Sequence, residues 1–108
     1  MGLLQSLETR LRQPALLERL SEQIAESSFE RAWRRVQDRV FAFPPAEARG
    51  YVRARTRVVV EQAIREVRVE LSSSARSRLQ VLAMENLLCR VANHVYAAWS
   101  RERRRRAA

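Results

Sequence analysis

Residues 46–106 read AEARGYVRARTRVVVEQAIREVRVELSSSARSRLQVLAMENLLCRVANHVYAAWSRERRRR, and their periodicity decides the fold class. Over 46–71, Val52, Thr56, Val59, Val60, Ala63, Ile64, Val67 and Leu71 recur at helical spacing. Val58-Val59-Val60 alone favours a strand, but the spacing over the whole window outweighs it. Over 75–103, Val81, Met84, Leu88, Val91, Val95 and Ala98 alternate steps of three and four, with Ala92, Tyr96 and Trp99 widening the face. Ser72-Ser73-Ser74 interrupts the two patterns, and a serine there suits the N-cap of the second helix. The expectation is a long antiparallel helical hairpin.

If the hairpin folds at Ser73, Arg57 and Glu61 lie opposite the level of Glu85 to Cys89. Glu85 projects into the apolar face beside Val81, Leu88 and Ala92, where a carboxylate is costly unless paired. An Arg57–Glu85 ion pair is therefore expected to set the register. Cys89 borders the same face and reads as a small buried hydrophobe, whereas His94 falls on the polar side with Arg90 and Arg101.

Upstream, Leu3, Leu4, Leu7 and Leu11 share one face of a short amphipathic helix over 1–12. The opening Met1-Gly2-Leu3-Leu4-Gln5-Ser6 also fits an N-myristoylation pattern that chance often produces, and a leucine face docking on the bundle is preferred. Pro14 suits the first turn of a new helix. Residues 14–43 form one kinked helix or two shorter ones. Ser27 and Glu30 have capping-box spacing, which favours a break there. Phe29, Ala32, Trp33, Val36, Val40 and Phe43 make the inner stripe, with Trp33 read as a core anchor rather than a base-stacking ring. Pro44-Pro45 ends the segment and opens the next helix, with Glu47 in its first turn.

The 108 residues amount to a single domain, all-α, an antiparallel helical bundle built on the hairpin. The hydrophobic share of 46% and the charged share of 31% are those of a globular chain, and 2 Gly with 3 Pro leave little for a turn-rich β fold. The long apolar faces exceed what one copy covers, so a homodimer of two hairpins is expected. Tyr51, Val58 and Val69 form a sparse second stripe, a possible partner interface.

The formal net charge is +9, and all 21 basic residues are arginine. Codon bias explains that choice more readily than selection for guanidinium does, but either way the surface favours polyanions. Arg49, Arg53 and Arg57 form a ridge at four-residue spacing, partly neutralised by Glu61. The arginine tail over 101–108 places Arg101, Arg103, Arg104, Arg105 and Arg106 beyond what capping a helix requires.

Catalytic chemistry is not legible. Two glycines make no phosphate loop, and one cysteine with one histidine makes neither a disulfide nor a Cys/His metal site. No Glu-x-x-His pair, zinc finger or GXXG loop appears. No enzyme activity, cofactor or metal is expected. No stretch reaches membrane-spanning length and no leader pattern is visible, so a cytoplasmic setting is expected and membrane contact is the weakest option. The expected partner is nucleic acid, held by phosphate contacts with little sequence reading. The alternative is an acidic protein, with this chain as adaptor, assembly factor or chaperone.

Overall fold

The computed structural model describes the backbone of residues 2–107 and the side chains of residues 14–107. Among the described residues the chain is helical throughout its ordered elements, with no strand. Helix α1 covers Gly2–Val36, a single 3-10 turn covers Val40–Ala42, α2 covers Pro45–Arg65 and α3 covers Ser73–Ala107.

Helix α1 runs for 35 residues, through Pro14 and past Ser27. The two separate segments expected over 1–12 and 14–43 are therefore one helix ending at Val36. A proline interrupts one hydrogen bond of the ladder, and strong helix formers flank it on both sides. The serines do not break the helix because their hydroxyls bond back to it. Ser21 Oγ donates to the Glu18 carbonyl at 2.7 Å, and Ser27 Oγ to the Ile24 carbonyl at 3.3 Å. The side chains of the N-terminal leucine face lie outside the described residues.

The turn from α1 to α2 follows proline chemistry. Phe43 is extended at φ −96°, ψ 149°, as a residue before proline must be, and Pro45 occupies the first turn of α2 with Glu47. Helix α2 has 21 residues and ends at Arg65, not at Leu71 as its apolar spacing suggested. Val67 and Leu71 still pack against the core, but from the connection between the helices. Alternating β-branched residues at 67 and 69 favour extended backbone there. Arg76 Nη1 donates to the Ile64 carbonyl at 3.3 Å, satisfying a C-terminal acceptor of α2. Ser72 Oγ accepts from the Ala75 amide at 3.2 Å, which makes Ser72 the N-cap of α3.

The three helices run up, down and up. Helices α2 and α3 are antiparallel, but the most extensive contact joins α1 to α3, which are parallel. Ser21 meets Asn86 across that seam, 65 residues apart, and Phe29 meets His94 at the same offset. The spine is thus the α1–α3 pair rather than the expected hairpin, with α2 laid against both.

The core contains Leu17, Ile24, Ala32, Val36 and Val40 from the first segment, together with Val52, Val59 and Val60 from α2. The α3 face matches expectation at Val91 and Val95, which are buried, and at Met84 and Leu88, which pack against the core, but not at Val81 or Tyr96. Ala75, Leu79, Ala83, Leu87, Val91 and Val95 are buried at four-residue spacing, while Val81 is 48% and Tyr96 69% exposed. Helix α3 carries two apolar stripes, and the inner one is that of Leu79 and Leu87. Glu85 and Cys89 are consequently exposed. Among the described residues Arg57 pairs with Glu61 of its own helix, Nε to Oε1 at 2.9 Å, and no ion pair joins it to Glu85. An exposed carboxylate needs no buried partner, so the physical demand for that register pair is gone. Its place is taken by Asn86 Nδ2, which donates to the fully buried Ser21 Oγ at 3.1 Å.

Truncation tests which stripe is inner. Leu79→Ala or Leu87→Ala is expected to lower unfolding free energy by about 2–5 kcal/mol, and Val81→Ala to change it by about 0.5 kcal/mol or less. Equal losses at 81 and 87 in urea titrations would reverse the assignment. A double-mutant cycle should give Ser21 and Asn86 a coupling of about 1 kcal/mol. The same cycle on Arg57 and Glu85 should give none.

Candidate functional site

The offset across the α1–α3 seam sets Val36, the last residue of α1, level with Arg101 of α3. Arg101–Ala107 therefore continues as helix beyond the end of α1, with every side chain exposed. Of the five tail arginines, only Arg106 has an acidic partner among the described residues, Glu102 at 3.5 Å. A pair so exposed contributes little. Close packing of like charges remains along the rest of these roughly two turns, and an anion would relieve it.

Arg49 and Arg53 stand on the part of α2 nearest this end. Both border a groove of about 540 Å³ between α2 and α3, with Ala48 and Val52 on one wall and Leu88, Ala92, Val95, Tyr96 and Trp99 on the other. Trp99 also belongs to a second hollow of about 470 Å³, shared with Phe41, Ala98, Glu102, Arg103 and Arg106. The structure thus gathers Arg49, Arg53, Arg103 and Arg106 around Trp99 at one end of the molecule. Arg57 is not part of this group: it lies farther along α2, bonded to Glu61.

The three residues of the expected partner stripe stand in different settings. Tyr51 is half-buried at the α1–α2 junction, its ring 5.1 Å from that of Phe43 and under the Arg55 guanidinium at 5.2 Å. Val58 and Val69 are exposed, but Val69 sits in the connection after α2 rather than on the helix. The Tyr51 hydroxyl lies 3.0 Å from Asp38 Oδ1 and 3.1 Å from the Arg35 carbonyl, two acceptors competing for its one proton. Burial first, and then donation to Asp38, hold this phenol above its ordinary value of 10.0.

Two features escaped the sequence reading. His94 is not on a polar face: its ring packs edge-on at 4.3 Å from Trp33 and 5.4 Å from Phe29, joining the aromatic groups that run through Phe41 to Trp99. Only the parallel pairing of α1 with α3 would have placed it there. The other feature was visible. Glu18, Glu22, Glu26 and Glu30 recur every four residues and lie exposed along α1. Charge is therefore uneven, with an acidic ridge along the middle of α1 and basic groups at the far end.

Among the described residues no group of three His, Cys, Asp or Glu side chains could hold a metal ion, and no helix is long and apolar enough to cross a membrane. No protein-family model matches the chain, no curated protein matches it, and no solved structure matches it.

The phenol provides a check on the junction. With Tyr96→Phe removing the other phenol, the remaining tyrosine absorbance should titrate above pH 10, and Asp38→Asn should move it back towards the ordinary value. Because the folded value is raised, this group's contribution to stability is complete below the unfolded value. It is lost as pH rises through the folded one. An unshifted titration would show that Tyr51 is not docked on Asp38.

Proposed function

We propose that this chain is a non-enzymatic nucleic-acid-binding protein that holds phosphates on the arginines at the open end of the α2–α3 hairpin. The observation that carries the reading is the helical projection Arg101–Ala107, whose arginines are exposed and largely without acidic partners. Guanidinium groups match phosphate oxygens bidentately, and an ordered helix spends less entropy in presenting them than a loose tail would. Arg49 and Arg53 add positive charge on the same end. The acidic ridge on α1 opposes phosphate elsewhere and so directs a polyanion to this end. Contacts to phosphate carry no sequence information, so little sequence specificity accompanies them.

A second reading has its own support. The groove between α2 and α3 is lined chiefly by apolar side chains, which suits a protein partner better than phosphate. Under that reading the chain is an adaptor, assembly factor or chaperone for an acidic protein.

Fluorescence anisotropy with a labelled oligonucleotide at several salt concentrations tests the first reading. Replacing Arg103, Arg104 and Arg105 by glutamine should flatten the dependence of log K on log salt. Each lost phosphate contact reduces the slope by about 0.9 on duplex DNA or about 0.7 on single strands. Binding that ignores salt, or a slope unchanged in the variant, would refute it.

A further inference from the structure

The groove between α2 and α3 has the form of a vacant helix position. Its walls are two antiparallel helices, and its α3 wall runs from Leu88 to Trp99, a length of about three helical turns. Ala92 on this wall is exposed, and Tyr96 at its edge is 69% exposed. Antiparallel pairs commonly receive a further helix in such a position, as four-helix bundles do. Arg49 and Arg53, one turn apart on the opposite wall, edge the groove, and neither has an acidic partner among the described residues.

From this geometry we propose that the groove docks an amphipathic helix from an acidic protein partner, with its apolar stripe over Ala92 and its carboxylates against Arg49 and Arg53. The inference goes beyond phosphate binding by the tail and does not depend on it. Charge selects the occupant. A second copy of this chain would have to present, among its described residues, one face that is both apolar and acidic. The outward row of α1 has the acids, Glu18 to Glu30, but every side chain exposed between them is polar. The outer stripe of α3 has the apolar groups, but its acids are only Glu85 and Glu102, the latter paired with Arg106, and it leads into the arginine tail. Nucleic acid is disfavoured as well. The apolar lining offers nothing for base edges to bond and would desolvate a phosphate without compensation. A helix with three or four apolar anchors and glutamates on both flanks meets the walls and the rim together.

The probe is a fluorescein-labelled peptide of about four turns, with leucines at i, i+3, i+4 and i+7 and glutamates beside them. It is titrated with the full chain. Its controls are the same composition scrambled to remove the apolar face, and a version with lysine for glutamate. The amphipathic acidic peptide should bind saturably, and both controls should bind about tenfold more weakly or worse. Ala92→Gln, which puts an uncharged polar side chain into the groove, should weaken the acidic peptide by a similar factor. Arg53→Glu, at an exposed position where the fold is not at risk, should do the same while improving the lysine peptide. Equal affinity for the scrambled peptide, or affinity unchanged in both variants, would overturn the proposal. So would a dimer in light scattering that Ala92→Gln dissolves, since the occupant would then be a second copy. Oligonucleotide binding lost in Ala92→Gln would assign the groove to nucleic acid instead. Glutamine at Arg103, Arg104 and Arg105 separates the two sites: it should weaken the oligonucleotide and spare the peptide. Failure of the peptide arm alone sinks the groove, and failure of the oligonucleotide arm alone sinks the phosphate reading.

Discussion

The close seam between α1 and α3 is the constraint on which the other contacts depend. Ser21, Ala25, Ser28 and Ala32 form a fully buried row on α1, and side chains this small let a neighbouring helix approach closely. Small rows tolerate sliding, because one shallow position resembles the next. The Asn86–Ser21 hydrogen bond removes that freedom: a shift of one turn would leave a buried hydroxyl and an amide without each other. With the register held, Phe29 and Trp33 reach His94, and Phe41 reaches Trp99. The offset also determines how far α3 runs past α1, and so which arginines project from the end.

Much of this was legible because it is local. Helical spacing, the prolines at 44 and 45, and the capping serine before α3 act within a few residues of themselves. The first-segment stripe from Phe29 to Phe43 likewise packs against or within the core. What was not legible depends on partners. Helix α3 offers Val81, Leu88 and Trp99 along one side and Leu79, Ala83 and Leu87 along another, with Val91 and Val95 between them, and periodicity ranks neither. Only α1, lying parallel at a distance of 65 residues in sequence, decides that the second is inner. Glu85 and His94 were misplaced for that one reason. Val67 and Leu71 show the converse ambiguity: a spacing of four can serve a helix, or a connection that touches the core twice.

The candidate site divides in the same way. The tail arginines and the Arg49–Arg53 pair follow from composition and spacing, so the basic end was visible. The groove beside them was not, because it is the outer stripe of α3 left uncovered once the inner stripe has been used. Tyr51 was placed on an outer surface because it stands off the α2 apolar face, yet the ring and hydroxyl both find partners on the preceding segment.

The two stripes of α3 connect architecture to function. A helix with one apolar side needs one neighbour; α3 has two, and α1 with α2 covers only one of them fully. Closing the bundle with a fourth helix would have been the simplest way to bury Leu88, Ala92 and Trp99, yet the described chain places none there. Leaving apolar surface in water is unfavourable by roughly 25 cal/mol per Å². The same strip is bordered by guanidinium groups that raise the cost of any basic occupant and lower that of an acidic one. Leu88 packs against the core and Trp99 meets Phe41, so these two serve folding in the lone chain, whereas Ala92 and Tyr96 are the exposed part of the strip that the proposed helix would cover.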